Sequence, residues 1–315
     1  MVDLQTNLVL TPEQAGIILQ AWLGTWVGVT AIEPLQGGMI NSVLRLRFDH
    51  PPYSAVIKLN GQEQDFAGEA CALRHLYQRG FPCPDVYLLD TAVPQIPYSF
   101  LLLETLSGVS LAEVYLDGAD RHRVERELAE VLVDLHAHAR ERFGPIDGEG
   151  AARWVDAFMP RLHRVRSEPE VEERLSPTVL RDVDRAIALA ADLLEDQGAP
   201  TLIHGDIWAA NVMVVEEADG WHLSGLVDPS AEYADVEMEL AYLRGFQTVG
   251  TPFFEIYTAY APLRPGYQLR FLVYWLRTYL IHVWLFGDQH YRDMTALVAK
   301  ELVERTSSFS LGADW

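Results

Sequence analysis

His204-Gly205-Asp206-Ile207-Trp208-Ala209-Ala210-Asn211 decides the reading of this chain, together with Asp228, seventeen residues beyond Asn211 at the end of an apolar run. Short β-type runs (Leu202-Ile203, Val212 to Val215, Leu223 to Val227) bracket polar turns here, so Asp206, Asn211 and Asp228 fall on loops at strand ends. Phosphoryl transfer needs this set: a carboxylate to orient and deprotonate a hydroxyl, and hard oxygen ligands to hold Mg²⁺ against nucleotide phosphates. Taken singly, each Asp or Asn reads equally well as a turn residue and His204 as a packed core histidine. The combined H-G-D-x-x-x-x-N with a distal Asp, set between apolar strands, does not.

Upstream, the basic residues carry a second signal. Of 24 Lys and Arg, 22 are Arg, and the two lysines are Lys58 and Lys300. Lys58 stands inside the strand-like run Ser54-Ala55-Val56-Ile57-Lys58-Leu59, where a compact point charge is kept in a chain that otherwise writes its cations as planar forks. Sixteen residues before it ends the turn Gly37-Gly38-Met39-Ile40-Asn41-Ser42. Adjacent glycines let a backbone approach phosphate oxygens, although a lone Gly-Gly hairpin is also an ordinary turn, and no Gly-Lys-Ser/Thr follows to make a Walker A loop. Glu69, in the amphipathic segment Asp65 to Arg79, stands beside an apolar face (Phe66, Ala70, Leu73, Tyr77) from which it can pair with Lys58 or remain a solvated glutamate. Leu101-Leu102-Leu103-Glu104-Thr105-Leu106-Ser107-Gly108 runs from a buried strand into a Gly-terminated connector, whose extended backbone can offer a carbonyl and an amide to an adenine edge.

Composition narrows the field. The 315 residues are 49% hydrophobic and 22% charged, a globular balance, with a net charge of −21. That charge argues against a nucleic-acid partner, which needs clustered Lys and Arg; it suits a cationic or amine-bearing small substrate and equally a merely soluble acidic surface, and favours neither by itself. Cys71 and Cys83 form neither a metal spacing nor a disulfide framework, and residues Met1 to Leu10 have no signal-peptide pattern. The longest apolar stretch, Phe271 to Gly287, is interrupted by Arg277 and His282 and reads as a buried helix rather than a membrane span. A cytoplasmic monomer with no membrane partner is expected.

Strand-like segments crowd the first third (Ile32 to Leu35, Ser42 to Phe48, Tyr53 to Leu59, Val86 to Leu89, Tyr98 to Leu103), and helical periodicity dominates after Gly108. The expected architecture is α+β: an N-terminal β-rich lobe over residues 1–105 that binds nucleotide, and a larger helical C-terminal lobe over 106–315 that carries catalysis and substrate.

The order of these elements (Gly-rich turn, strand Lys, helix Glu, Leu-Leu-Leu-Glu connector, H-G-D-x-x-x-x-N, Asp-Pro) resembles the two-lobed protein-kinase-like fold in its small-molecule branch, the aminoglycoside phosphotransferase superfamily. Protein kinases show H-R-D, D-F-G and a later A-P-E. Here Gly205 replaces the Arg, Pro229-Ser230 follow Asp228, and no A-P-E segment is visible, which disfavours a protein substrate. Within the superfamily the chain is most similar to the fructosamine kinase (ketosamine 3-kinase) family, in Gly37 to Asn41, His204 to Asn211, Asp228 to Ala241, and Tyr260 to Tyr267 with His282, Leu285-Phe286-Gly287 and Tyr291. The resemblance implies ATP- and Mg²⁺-dependent phosphorylation of a sugar hydroxyl on a ketosamine. By position, Asp206 is the catalytic base, and Asn211 and Asp228 are the Mg²⁺ ligands. Gly37, Gly38, Asn41, Ser42, Lys58, Glu69, Glu104 and Leu106 form the nucleotide side, with Glu69 pairing Lys58 and the last two offering backbone to adenine. Trp208 stacks on the sugar or packs in the core, and Asp235 caps the helix that begins there. Family members commonly have Ser-Gly where Ala209-Ala210 stand, and some have a redox-active Cys where Met39 stands. The alternatives are an aminoglycoside, choline or other small-molecule phosphotransferase of the same superfamily, and a nucleotide-binding pseudoenzyme; against the last, Lys58, Asp206, Asn211 and Asp228 are all present.

Overall fold

The computed structural model describes residues 8–35, 42–61, 66–90, 93 and 95–309, with side chains to 306. Gly37, Gly38 and Asn41 therefore lie outside the described residues. The chain divides into two compact units, Met1–Arg121 with Ala209–Ser230, and His122–Trp208 with Ala231–Trp315.

The first unit is built on a strand whose alternate residues have different work. In β3 (Ser54–Asn60), Ala55, Ile57 and Leu59 are fully buried in one apolar cluster with Ala15, Ile18 and Leu19 of helix α1 (Pro12–Leu23). The period of two then turns Lys58 to the opposite face. β3 lies at the centre of a five-stranded antiparallel sheet of order β1-β2-β3-β5-β4, with β1 Val29–Pro34, β2 Ser42–Phe48, β4 Val86–Leu89 and β5 Ser99–Leu103. Val43 and Leu101 flank Lys58 in register. Helix α2 (Ala67–Tyr77) follows β3 and buries Ala70, Leu73 and Leu76. A second sheet, β10-β9-β6, joins Gly220–Leu226, Val212–Glu217 and Val109–Ser110.

The second unit is helical: α3 (Gly118–His136), α4 (Trp154–Arg166), α5 (Pro169–Arg174), α6 (Pro177–Leu193), α7 (Glu237–Gly245), α8 (Thr251–Tyr260), α9 (Tyr267–Leu285) and α10 (Gln289–Phe309). A small sheet, β7-β11-β8 (Gly144–Pro145, Glu232–Ala234, Thr201–Ile203), is set among them, and β8 runs directly into His204. Among the described residues no helix is long and apolar enough to cross a membrane. Cys71 and Cys83 are both free.

Helix α1 opens with a capping box, the Thr11 hydroxyl accepting the Gln14 N–H and the Gln14 side chain accepting the Thr11 N–H. Neither it nor α4 stands among the helices read from sequence; α4 carries Pro160 in its interior, which masks the buried spacing of Trp154, Phe158, Leu162 and Val165. Asp235 also differs from expectation. The helix starts at Glu237 with Val236 at its N-cap, and although Asp235 accepts the Glu237 N–H at 3.1 Å, it is wholly buried against Arg264.

Gly108 turns the chain from Leu106 into β6 with φ +94°, and a Cβ there would lie 2.0 Å from the Val214 carbonyl oxygen. Gly108→Ala is expected to cost at least about 1–3 kcal/mol, read as a lower midpoint in urea unfolding. An unchanged midpoint would contradict that backbone geometry.

Candidate active site

Lys58 leaves the sheet face between two carboxylates. Its Nζ lies 2.6 Å from Glu69 Oε1 and is paired directly with Asp228 Oδ1. Burial works against the ammonium charge, but Asp228 and Glu69 outweigh it and hold Lys58 above the usual lysine range. Burial also pushes the Glu69 carboxyl up, with Lys58 pulling the other way and the like charge of Asp228 adding to the rise. One cation is thus shared by two acids, and the more open of them, Asp228, has 39% of its side chain exposed. Asp228 is held at φ +58°, a backbone state unusual outside glycine that turns its side chain back toward Lys58.

Asn211 is brought beside this group by the chain itself. It ends a 3₁₀ turn (Ala209–Asn211), is buried, and its carbonyl accepts the Val227 N–H at 3.0 Å, one residue before Asp228. Ser110, at the end of β6, donates to the carbonyls of Ala209 and Ala210 at 3.2 and 3.1 Å and so fixes that turn. An amide oxygen and a half-open carboxylate with surplus negative charge are hard donors of the kind a Mg²⁺ ion takes, so the residues fit that cation.

The connector after β5 keeps its own order. Glu104 N–H donates to the Asp85 carbonyl at 2.9 Å, and its side chain accepts the Asp85 N–H at 3.1 Å. Among the described residues neither the Glu104 carbonyl nor the Leu106 N–H takes a backbone partner. Leu106 packs on β10 at Gly225, where a Cβ would lie 2.9 Å from Leu106 Cδ1. Ser42 Oγ accepts the Leu8 N–H at 3.1 Å.

Asp206 belongs to the second unit. The loop that carries it leaves β8 and is gripped from beneath by Glu239 of α7, which is buried. Glu239 accepts the N–H of Gly205 at 2.6 Å, the N–H of His204 at 3.3 Å and Nε2 of His136 at 2.8 Å. Burial opposes ionisation of Glu239, but the His136 hydrogen bond, the neighbouring imidazoles and the Gly205 N–H outweigh it, and its pKa is lowered. One turn further along α7, the Tyr242 hydroxyl donates to Asp206 Oδ1 at 2.5 Å. Burial first, then the Asp206 charge, push the Tyr242 phenol far above its usual range, so it stays a donor.

From Tyr242 a row of rings continues: Phe246 at 4.5 Å, His282 at 5.4 Å from Phe246, then Tyr291 at 4.3 Å and Phe286 at 5.6 Å from His282. His282 Nδ1 is 2.8 Å from the Thr278 carbonyl and must donate to it, which leaves Nε2 as an acceptor. Burial lowers the His282 pKa against that bond and the Asp288 charge, favouring the neutral ring. Trp208, two residues after Asp206, is half-buried. Glu239, Tyr242 and Phe246 were missed in the sequence; their signal was the i, i+3, i+7 spacing along α7, directly after the Asp228 segment.

The fold places the chain in a known class. A crystal structure from Haemophilus somnus, described as a fructosamine-3-kinase, superposes with a TM-score of 0.72 at 20% identity, covering 92% of this chain and 96% of that one. A thermostable mutant of the aminoglycoside phosphotransferase APH(4)-Ia, solved with AMP-PNP and hygromycin B, gives 0.68 at 19% identity, covering 92% and 97%. The architecture is that of the kinase-like phosphotransferases. The family follows from sequence. The fructosamine kinase family model matches residues 13–304, and a probable ketoamine kinase of Lactiplantibacillus plantarum is 37% identical over 267 residues, covering 83% of this chain and 91% of the relative. The chain belongs to the fructosamine kinase family and is a phosphotransferase.

The Glu239 grip has a measurable signature. Because its folded-state pKa is lowered, the ionised form stabilises the fold above the ordinary glutamate value of 4.5 and loses that contribution as the pH falls below it. Glu239→Gln is expected to lower unfolding free energy by about 2–3 kcal/mol at pH 7, with the gap to the parent protein narrowing toward pH 4. A gap that stays constant across this range would show that the charge of Glu239 does not matter.

Proposed function

We propose that this protein is an ATP- and Mg²⁺-dependent kinase that phosphorylates a sugar hydroxyl of a ketosamine. The observation that carries the reading is the Asp206 carboxylate, fixed by Tyr242 at the head of an aromatic row, in a chain of this family. Sugar C–H faces and an amine cation both bind well to aromatic faces. The ketoamine kinase name of the L. plantarum relative supports the same acceptor class, and the AMP-PNP complex of APH(4)-Ia supports ATP as donor.

In this reading residues 1–105 form the nucleotide lobe and 106–315 the catalytic and substrate lobe. Lys58, held out by Glu69, contacts phosphates, and Gly37, Gly38, Asn41 and Ser42 supply further donors to them. The Glu104 carbonyl and Leu106 N–H meet the adenine edge, and Asn211 and Asp228 hold Mg²⁺. Bound Mg-ATP supplies the phosphoryl group. Asp206 orients the acceptor hydroxyl and takes up its proton as that oxygen bonds to the γ-phosphorus and the bond from that phosphorus to the bridging oxygen of the departing ADP breaks. Tyr242 keeps the carboxylate from rotating away, and Trp208 offers a stacking face to the sugar. A cytoplasmic monomer acting on a cationic or amine-bearing small molecule completes the proposal.

The test is ADP release with Mg-ATP against fructoselysine, ribuloselysine, an aminoglycoside, choline and a blank. Release that requires a ketosamine supports the reading; release with another acceptor, or with none, overturns it. Asp206→Ala should keep nucleotide binding while kcat falls by about 10²–10⁴, and retained turnover would remove the base role. Asp228→Asn should weaken nucleotide binding only when Mg²⁺ is present, so superimposable Mg²⁺ titrations would exclude it as a ligand.

A further inference from the structure

On α4 and α9 of the second unit, Arg277 has two further guanidiniums, Arg161 and Arg164, and one carboxylate, Glu232, as its charged neighbours. Arg161 takes both oxygens of Glu232 in a fork, at 2.6 and 2.7 Å. Arg277 lies across the ring of Phe158 at 5.8 Å, and its Nε is buried with no hydrogen-bond partner among the described residues. Arg164, one turn along α4, is exposed and repels it. Burial, then Arg161, press the Arg277 pKa down to about 10 against the pull of Glu232. Arg277 nonetheless stays charged at neutral pH, so this is a half-buried cation whose nearest acid is already committed to another residue. Such a charge is costly. It also stands out in a chain with 45 acidic residues, any of which would relieve it at this position.

We propose that Arg277, with Arg161 and Arg164, binds a small oxyanion, a phosphate or carboxylate group that accepts from the Arg277 guanidinium. Planar donor forks match either group. The site adjoins the strand that delivers the His204–Trp208 loop, since Glu232 pairs in register with Ile203 at the end of β8. It is independent of the acceptor assignment above and goes beyond it.

Thermal unfolding of the full chain tests this in phosphate and in malonate, each against chloride at matched ionic strength. The proteins compared are the parent, Arg277→Met, Arg164→Gln and Lys58→Met. The parent and Lys58→Met should show a saturable rise in Tm. Arg277→Met should need at least about tenfold more anion for half the rise, and Arg164→Gln about threefold more. Without added anion, Arg277→Met should be no less stable than the parent. A response to phosphate alone assigns a phosphate ligand, and an equal response to malonate assigns a carboxylate. No rise beyond chloride, or a rise lost in Lys58→Met and kept in Arg277→Met, overturns the proposal. If Arg277→Met does not fold, the exposed Arg164→Gln carries the test, and an unshifted midpoint there overturns it.

Discussion

A single buried carboxylate, Glu239, holds the part of the second unit on which everything else bears. It faces two backbone N–H groups of the His204-Gly205 turn and one imidazole, so its charge is met by donors on several sides. A buried charge is tolerable only when compensated in this way, and then it fixes geometry tightly. The loop therefore cannot shift without exposing Glu239 to an apolar interior. Asp206 inherits that rigidity two residues later.

Helix α7 extends the same device. Just before it, Asp235 is taken by Arg264; at its start, Glu237 is taken by Arg270 in a fork at 2.5 and 2.9 Å. These pairs anchor the N-terminal end, Glu239 grips the loop backbone, Tyr242 grips the Asp206 side chain, and Phe246 begins the aromatic row. One helix of nine residues thus sets the Asp206 carboxylate beside the aromatic row. The first unit reaches a comparable result with the signs reversed: the cation Lys58 is buried, two acids compensate it, and the surplus charge is left on the more exposed acid. That polarity suits a divalent cation, and it explains why an ammonium stands there in a chain rich in arginine. A point charge can be shared between two carboxylates across a strand, where a flat fork would have to choose.

Much of this was legible in the sequence, for physical reasons. Lys58 and Glu69 could be paired because strand and helix periodicities each place one residue toward the same side. The strands β2 (Ser42–Phe48) and β4 (Val86–Leu89) agree residue for residue with their sequence reading. What stayed hidden depends on tertiary compensation. Glu239 looks like any acidic residue in an acidic helix until its partners are seen, and Ser110 is an ordinary strand serine until it meets the carbonyls of Ala209 and Ala210. The α4 helix was concealed by Pro160, a local breaker overridden by six buried apolar residues on one face.

The compensation rule also separates structure from function among the arginines. Arg264 and Arg270 answer buried acids, and their presence is explained by the fold alone. Arg161 answers Glu232 in the same way. Arg277 answers nothing equivalent: it is half-buried, repelled by two neighbours, and set in a chain with a large excess of carboxylates that could have been placed against it. A purely structural residue in that position would be replaced by an apolar one at a gain in stability, since exchanging a buried, poorly compensated charge for a well-packed apolar side chain is commonly neutral or stabilising. Its cost is explained if the missing acid is supplied from outside the chain.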